Sequence, residues 1–318
     1  MPEQRSAALS AAQTPATAAA AITAPHDDAP SGAGTLIDVL RWHLHKHPDQ
    51  TQVICLEGDT EHAITYRGLA TSAAAIAAGL QRLGVRPREC VAIMLPTSPE
   101  YFGTYFGILL AGAVPVPIYP PARWSQLEDH VLRHTGILAN AQACVLVTVP
   151  EAMVVARLLQ ARVPGLRHVV TAQQLTLPGA ALVPVTVRGE DIAFIQYSSG
   201  STSQPKGVLL THRNVLANVH GVTQATGWNE RDISVSWMPL THDLGLIGFF
   251  IMMFANRIQL NLMPTDLFVR RPLLWTTFLS RKRATLTASP NFGYRHYLKV
   301  LGERPLQDID LTAVRQIL

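Results

Sequence analysis

The sequence predicts an α/β protein with largely parallel sheets packed with helices, and three observations support this fold class. Short apolar runs at residues 89–95 and 144–149 have the length and composition of buried strands. Helical patterns at residues 66–83 and 126–139 lie between such runs. The alternation resumes after Asp191. Because strands that alternate with helices are typical of doubly wound proteins, we expect two such sheets, divided near residue 180.

The elements of the first half are predicted from their caps, chain breakers and apolar runs. Thr35 can cap a helix that ends before Pro48, and Ser98 followed by Pro99 is typical of another helix start. Gly58 predicts a turn between two strands. The other predicted elements of this half are strands at 51–56, 63–65, 114–119 and 168–171 and a helix at 151–161.

The second half follows a stretch that looks like a linker. Residues 173–188 contain two prolines and no helical period. Beyond it we expect strands at 192–195, 208–210, 284–289 and 313–318, and a helix that Thr211 caps. The sequence therefore predicts two α/β subdomains, at residues 34–180 and 181–318. The first 33 residues are rich in Ala, Pro, Ser and Thr, and we expect them to form a disordered leader.

Composition indicates a globular protein. Of the 318 residues, 48% are hydrophobic and only 15% are charged, which excludes a disordered chain. The net charge of +4 is small for this length, and the basic residues are not interleaved with aromatic ones. We therefore expect no nucleic-acid partner.

The cysteines, the apolar runs and the N-terminus indicate the cellular compartment of the protein. Cys55, Cys90 and Cys144 are widely spaced, form no metal-binding pattern and lie in apolar runs, so we expect reduced core residues in a cytoplasmic protein. No apolar run approaches the length of a membrane span. The N-terminus lacks the basic start and bulky apolar core of a signal peptide.

One stretch, residues 191–215, has the pattern of an anion-binding loop. It reads DIAFIQYSSGSTSQPKGVLLTHRNV, with ten residues from Ser198 to Gly207 between two apolar runs that we expect to be buried strands. Five of the ten are Ser or Thr, and Lys206 adds a positive charge. Consecutive backbone N–H groups and hydroxyls can converge on an anion, although loops of this composition often only connect elements. Lys206 precedes Gly207 rather than Ser or Thr, which excludes a Walker loop.

The same stretch carries a family resemblance. YSSGSTSQPKGVLLTH resembles the phosphate-binding signature of the adenylate-forming superfamily of acyl-CoA synthetases, luciferases and nonribosomal adenylation domains. SWMPLTHDLGLIG at 236–248, and a set of residues between Met263 and Tyr294, resemble the fatty acyl-AMP ligases within it. The similarity extends from about Thr35 to Leu318. It implies the layered α-β-α N-terminal domain of these enzymes.

The resemblance also implies a reaction. A fatty acid and ATP, with Mg²⁺, would form acyl-AMP and pyrophosphate, and the acyl group would pass to the phosphopantetheine arm of an acyl carrier protein. Lipopeptide, polyketide or nonribosomal peptide biosynthesis is the expected setting. A fatty acyl-CoA ligase is the nearest alternative. A catalytically incomplete module that binds nucleotide or lipid is an alternative from another class.

The residues implied at the site fall into three groups. The ATP phosphates would be bound by Ser198, Ser199, Gly200, Ser201, Thr202, Ser203, Lys206 and Gly207. His242 follows a strand-like stretch and would act as the catalytic residue at the substrate carboxylate or acyl phosphate, although a single His is often structural. The acyl or adenylate group would contact Asp243, Gly245, Asn291, Phe292 and Tyr294. Asp243 could instead cap the following helix. No residue is assigned to a metal.

The similarity stops at Leu318, before parts that are important in the family. These are the acidic motif near magnesium and adenine, the aspartate that binds the ribose and the small domain with the catalytic lysine. We therefore expect these 318 residues alone to lack full adenylation activity. Robust formation of acyl-AMP by the isolated chain would refute this expectation.

Overall fold

A computed structural model describes residues 32–121, 127–176, 181–198, 206–303, 305 and 308–318. Across these residues, twelve strands form three sheets of six, four and two strands. The strands are β1 (Thr51–Glu57), β2 (Thr60–Thr65), β3 (Cys90–Met94), β4 (Val114–Pro117), β5 (Ala143–Thr148), β6 (His168–Thr171), β7 (Ile192–Ser198), β8 (Lys206–Thr211), β9 (Ile233–Ser236), β10 (Gln259–Leu262), β11 (Leu286–Thr287) and β12 (Gln316–Ile317). The predicted α/β fold class is confirmed.

Helices connect most of these strands. They are α1 (Leu36–Lys46), α2 (Tyr66–Arg82), α3 (Pro99–Leu110), α4 (Leu127–Asn140), α5 (Met153–Arg162), α6 (Ala172–Leu175), α7 (His212–Thr226), α8 (Met252–Ala255), α9 (Thr265–Arg270), α10 (Leu274–Lys282) and α11 (Asn291–Leu301). A 3₁₀ turn at Pro150–Ala152 precedes α5, and a π-helix at Leu244–Ile251 precedes α8.

The two large sheets are mainly parallel. The six-stranded sheet has the order β12-β11-β9-β10-β1-β2, and only the pair β1/β2 is antiparallel. The four-stranded sheet, β4-β3-β5-β6, is parallel throughout. Strands β7 and β8 form a separate antiparallel hairpin. The predicted pair of largely parallel sheets is therefore present, with a hairpin beside it.

Side chains from alternate positions of one strand show how the layers stack. On β3, Val91 and Ile93 pack into a core shared with α2 and α3, whereas Ala92 and Met94 pack into a second core with α4 and α5. The six-stranded sheet contributes Val53 and Leu260 to the same first core. Helices α2 and α3 thus lie between the two sheets. Residues 101–110 of α3 are all buried because both sides of the helix face a sheet.

Local capping determines where several helices begin. The Thr35 hydroxyl accepts a hydrogen bond from the backbone N–H of Asp38, as the sequence predicted. Thr211 caps α7 in a capping box with Asn214. Pro99 occupies the first turn of α3, but the Ser98 side chain makes no capping hydrogen bond there. Gly227 ends α7 with a left-handed φ of 67°, which glycine adopts at little cost.

The predicted division of the sheets near residue 180 is wrong for the larger sheet. β1 pairs in parallel with β10, with Val53 opposite Leu260, so strands from both sides of residue 180 form one sheet. The hydrophobic pattern of β1 specifies that it is buried but not which strand lies beside it. The proposed subdomains 34–180 and 181–318 stay a prediction. The leader at residues 1–33 lies outside the described residues except for its last two positions.

The prediction of two buried strands around the anion-binding loop holds for only one of them. Phe194 of β7 is fully buried, whereas Val208 and Leu209 of β8 are 48% and 57% exposed. The difference arises because β7 lies against β4 of the four-stranded sheet, whereas β8 is the outer strand of the hairpin. The strands predicted at 284–289 and 313–318 are also shorter, since only Leu286–Thr287 and Gln316–Ile317 pair.

Candidate functional site

A cleft of about 730 Å³ opens where the hairpin, the four-stranded sheet and the π-helix meet. Its lining comes from the end of β4, from α4, from β7 and β8, and from the turn before the π-helix. The lining residues are Tyr119, Pro120, Asp129, His130, Arg133, His134, Gln196, Tyr197, Ser198, Val208, Leu210, Thr241, His242, Asp243 and Ile247. In parallel α/β proteins such a position beyond the carboxyl ends of strands commonly binds a ligand.

The loop predicted to bind an anion, residues 198–207, begins and ends at the hairpin. Ser198 ends β7 and lines the cleft, and it lies opposite Lys206, the first residue of β8. Ser199, Gly200, Ser201, Thr202 and Ser203 lie outside the described residues. Gly207 lies against the ring of Tyr197, where a Cβ atom would come within 2.9 Å of Cζ. Any larger residue at this position, next to Lys206, would therefore have to displace the ring.

The turn that carries His242 is held from two other elements and by its own backbone. The His242 N–H donates to the carbonyl of Pro239 at 3.0 Å. The buried hydroxyl of Tyr101, on α3, donates to the carbonyl of Leu240 at 3.0 Å. The side-chain amide of Gln196, on β7, donates to the carbonyl of Thr241 at 3.0 Å. Three successive carbonyls of the turn are thus hydrogen-bonded, which holds the backbone at His242 beside the cleft.

His242 and Asp243 interact directly. The Nδ1 atom of His242 lies 2.6 Å from Oδ1 of Asp243, and the backbone N–H of Leu244 donates to the same carboxylate oxygen at 2.7 Å. Asp243 is therefore a cap for the π-helix, which was one of its two predicted roles. Nδ1 is thus in contact with the Asp243 carboxylate, and it also lies 3.2 Å from the backbone nitrogen of Leu244. Nε2 is then the ring nitrogen that a ligand in the cleft can meet.

Gly245, in the first turn of the π-helix, packs against the turn that carries His242. A Cβ atom built on it would lie 2.1 Å from the carbonyl oxygen of Pro239, a backbone atom that has little room to move. The first turn of the π-helix therefore packs directly on the turn that carries His242. This contact explains the glycine that follows Asp243 in physical terms, and it does not require Gly245 itself to touch a ligand.

Helix α4 contributes two stacked histidines to the cleft. The rings of His130 and His134 lie 3.9 Å apart, and the Nδ1–H of His134 donates to the backbone carbonyl of His130 at 2.7 Å. Burial lowers the pKa of His134 to about 4 and also lowers the pKa of His130. Both imidazoles are therefore neutral near pH 7, and the charged side chains that this helix adds to the cleft are Asp129 and Arg133. Among the described residues, neither Nε2 atom has a hydrogen-bond partner.

Asn291, Phe292 and Tyr294 occupy a different place. They begin α11, after the short strand β11, and are not among the residues that line the cleft. The ring of Phe292 is 60% exposed and meets the edge of Trp237, with 5.7 Å between ring centroids. Tyr294 lies beside Trp275 at a similar separation. The structure thus brings Ser198, His242 and Asp243 together, and the roles predicted for the α11 residues stay predictions.

Several lining residues were not anticipated from the sequence. Gln196 and Tyr197 precede the anion-binding loop, and Thr241 precedes His242, so each is adjacent to a predicted residue. His130 and His134 are four apart, a spacing that puts both on one face of a helix and could have been noticed. Tyr119 carries no comparable signal, because a tyrosine at a strand end is more often a core or surface residue.

The described residues, 32–121, 127–176, 181–198, 206–303, 305 and 308–318, lack two kinds of feature. Within those ranges no group of three or more His, Cys, Asp or Glu side chains is arranged to hold a metal ion. In the same part of the chain no helix has the length and apolar character needed to cross a bilayer.

The layered fold and the cleft at its strand ends define a ligand-binding α/β protein. The family described as "AMP-binding enzyme" matches residues 40–318. The chain belongs to this family, and the resemblance seen in the sequence is confirmed at that level.

Two of the relatives that the chain matches are named as fatty acid ligases. The chain is 30% identical over 287 residues to the medium-chain-fatty-acid--[acyl-carrier-protein] ligase JamA of Moorena producens, covering 88% of this chain and 48% of JamA. It is 31% identical over 303 residues to the long-chain-fatty-acid--AMP ligase FadD32 of Mycolicibacterium smegmatis, covering 91% and 47%. A Caulobacter vibrioides protein, named provisionally as an acyl-CoA synthetase, is 31% identical over 259 residues, covering 81% and 45%.

Two solved structures with a similar fold are of fatty acyl-adenylate ligases. A fatty acyl-adenylate ligase from L. pneumophila, in complex with acyl adenylate and pyrophosphate, has a TM-score of 0.80 at 28% identity, covering 91% of this chain and 50% of that one. A structure from a study of the E. coli and L. pneumophila fatty acyl-adenylate ligases has a TM-score of 0.84 at 29% identity, covering 90% and 52%. The chain spans about half the length of the relatives it matches.

Proposed function

We propose that this chain is the N-terminal part of an ATP-dependent enzyme that adenylates a fatty acid. The observation that carries the proposal is the single cleft that both Ser198, at the start of the anion-binding loop, and His242 line. Membership of the AMP-binding family and similarity to JamA and FadD32 support the choice of reaction.

The chemistry requires positioning and charge stabilisation more than reactive side chains. A carboxylate oxygen of the fatty acid attacks the α-phosphate of ATP, the bond to the bridging oxygen breaks, and pyrophosphate leaves. Backbone N–H groups and hydroxyls from Ser198 to Gly207, with the ammonium of Lys206, bind the β- and γ-phosphates. His242 contacts the carboxylate and then the acyl phosphate. Mg²⁺ enters as the complex with the nucleotide phosphates and neutralises part of their charge.

The acceptor is proposed from the relatives. JamA is described as an acyl-carrier-protein ligase, and on this basis the acyl group passes to the phosphopantetheine arm of a carrier protein. The cytoplasm is proposed as the setting because the three cysteines are free thiols. The Caulobacter relative favours CoA as the acceptor, which keeps a fatty acyl-CoA ligase as the second candidate. Product analysis with CoA and with carrier protein, in a longer natural chain that contains these residues, separates the two.

Isothermal titration of this chain with an acyl-sulfamoyl adenosine tests the proposal. We expect the unaltered chain to bind with micromolar affinity. His242→Ala should bind about tenfold more weakly or worse, because it removes a contact to the sulfamate group that stands in for the acyl phosphate. Lys206→Ala should instead weaken the binding of inorganic pyrophosphate, because its charge acts on the β- and γ-phosphates. Lys299→Ala, at an exposed lysine of α11, is the matched control. Absence of binding by the unaltered chain would favour a fragment without an organised site.

A further inference from the structure

Gln196 joins the two parts of the cleft that the proposed function uses. It lies on β7 two residues before Ser198, so it is attached through the strand to the start of the anion-binding loop. Its Nε2 atom donates to the carbonyl oxygen of Thr241 at 3.0 Å, and Thr241 is the neighbour of His242. One side chain therefore spans the distance between the hairpin and the turn that carries the imidazole.

The other contacts of the turn connect it to helices and not to the hairpin. Tyr101 attaches Leu240 to helix α3, and Gly245 packs the π-helix on Pro239. Among the hydrogen bonds of the described residues, the one from Gln196 is the bond that joins residues 239–243 to the hairpin. Without it the turn keeps its attachment to α3 but has no polar link to the strand that leads into the loop.

The residue type matters for this link. A backbone carbonyl accepts hydrogen bonds only, so its partner must supply an N–H or O–H donor. The carboxamide of Gln196 supplies one without adding charge to a cleft that must receive the negative phosphates of the nucleotide. A carboxylate at the same place would set an acceptor against an acceptor, and an aliphatic side chain would leave the carbonyl of Thr241 without this donor.

We propose that Gln196 is a positioning residue that holds His242 at a fixed distance from the phosphate end of the cleft. The inference rests on the proposed function, because it assigns Gln196 to the same site. It acts through the Thr241 carbonyl on the imidazole and makes no contact with the reacting atoms. Binding at the acyl phosphate therefore depends on Gln196, whereas binding of a phosphate group at the loop alone does not.

The test uses three variants of this chain in a double-mutant cycle. Gln196→Met removes the donor at nearly constant volume, His242→Ala removes the positioned ring, and the double variant combines them. We expect Gln196→Met to weaken binding of an acyl-sulfamoyl adenosine about fivefold or more, with binding of inorganic pyrophosphate changed less than twofold. In the His242→Ala background the same change should have less than a twofold effect, because there is no imidazole left to position.

Two further variants separate positioning from folding. Gln160→Met is the matched control, since Gln160 also donates to a backbone carbonyl, that of Arg167 at 2.9 Å, and is not among the residues that line the cleft. It should leave binding of both probes unchanged. Gln196→Glu has the same size as the native residue and should weaken binding of the adenosine analogue at least as much as Gln196→Met does. It serves as the second probe where the methionine variant folds poorly.

The outcomes are distinguishable. If the unaltered chain binds no acyl-sulfamoyl adenosine, the proposed function fails. If the unaltered chain binds but Gln196→Met and Gln196→Glu bind equally well, or if the effects of Gln196→Met and His242→Ala add independently, the assignment of Gln196 is overturned while the proposed function stands. A parallel loss of pyrophosphate binding would also overturn it, because it would show a general disturbance of β7.

Discussion

The α-carbon of Gly245 lies against the carbonyl of Pro239, so closely that an added Cβ atom would lie 2.1 Å from that oxygen. The π-helix and the turn that carries His242 are thus in backbone-to-backbone contact. Gly245 has no positive φ, so its importance comes from this lack of space and not from an unusual backbone conformation.

Gly245→Ala should therefore displace the turn. A methyl group cannot fit without moving the Pro239 carbonyl, and overpacking of this kind typically costs about 1–3 kcal/mol. We expect a lower melting temperature together with weaker binding of an acyl-sulfamoyl adenosine. Gly221→Ala is the control, because a Cβ atom there meets nothing within 4 Å in helix α7 and alanine favours a helix. Equal stability of the two variants would contradict the contact.

Two neighbouring tyrosines of α3 should respond oppositely to loss of the hydroxyl. Tyr101 and Tyr105 are both fully buried, but among the described residues only the Tyr101 hydroxyl has a partner, the carbonyl of Leu240. Tyr101→Phe leaves that carbonyl without its donor and should lower the free energy of unfolding by about 1–3 kcal/mol. Tyr105→Phe removes an unsatisfied group and should be neutral or stabilising. Denaturant unfolding of both variants measures the difference. A similar loss of unfolding free energy in each would refute the role assigned to the Tyr101 hydroxyl.

A buried carboxylate fastens the end of the described chain to the six-stranded sheet. Asp232 is 4% exposed and accepts hydrogen bonds from Arg315 at 2.7 and 2.5 Å and from Thr285 at 2.7 Å. Arg315→Ala leaves this carboxylate with only the hydroxyl of Thr285 and the N–H of Asn229 among its described donors, and it should lower the free energy of unfolding by about 1–3 kcal/mol.

The control for this prediction is an exposed pair. Arg270 and Asp266 are about 70% exposed, and Arg270→Ala should cost less than about 1 kcal/mol because solvent screens their attraction. Chemical denaturation at one pH and salt concentration compares the two variants. A cost for Arg315→Ala no larger than that of Arg270→Ala would show that the Asp232 network contributes little.

Three buried histidines should make the protein sensitive to mild acid. Burial lowers the pKa of His43 from 6.5 to about 3 and the pKa values of His134 and His212 to about 4. Between about pH 4 and 6.5 the unfolded chain therefore binds more protons than the folded protein. The free energy of unfolding should be highest above pH 6.5 and should fall on acidification, by up to about 1.4 kcal/mol per pH unit for each imidazole.

Replacement of one of these residues tests the cause. His43 stacks on Tyr66 and its Nε2–H donates to the carbonyl of Phe254, so His43→Phe keeps a ring there but removes the titration. We expect a shallower slope of unfolding free energy against pH between 6.5 and 4.5, even though stability at pH 7 also falls. His45→Phe, at an exposed position of α1, should leave the slope unchanged. An unchanged slope in His43→Phe would exclude His43 as a contributor.

Local features of this fold could be predicted because their causes are local. The Thr35 and Thr211 caps occur where expected, and the strand predicted at residues 168–171 has those bounds in the structure. In each case a side chain a few residues away, or a short apolar run, is sufficient to specify the element. The family membership was also predictable, since the loop and the residues around His242 form long, specific motifs.

Features that depend on distant partners could not be predicted in the same way. The sequence predicts Val208 and Leu209 as core residues, but their exposure depends on which strand of the hairpin packs against the four-stranded sheet. The cleft brings together α4, β7 and the turn at His242, which are far apart in the chain. Sequence motifs therefore could not show that the histidine pair and Gln196 lie at the same site. The π-helix also follows no rule of apolar spacing.

The pairing of β1 with β10 has a consequence for synthesis of the protein. These strands are more than 200 residues apart, and at a translation rate of 5–20 residues per second the earlier one emerges about 10–40 s before its neighbour exists. During that interval the nascent chain presents an unpaired β-edge to other polypeptides. Ribosome-associated chaperones are therefore expected to matter more for the yield of this protein than its final stability would indicate.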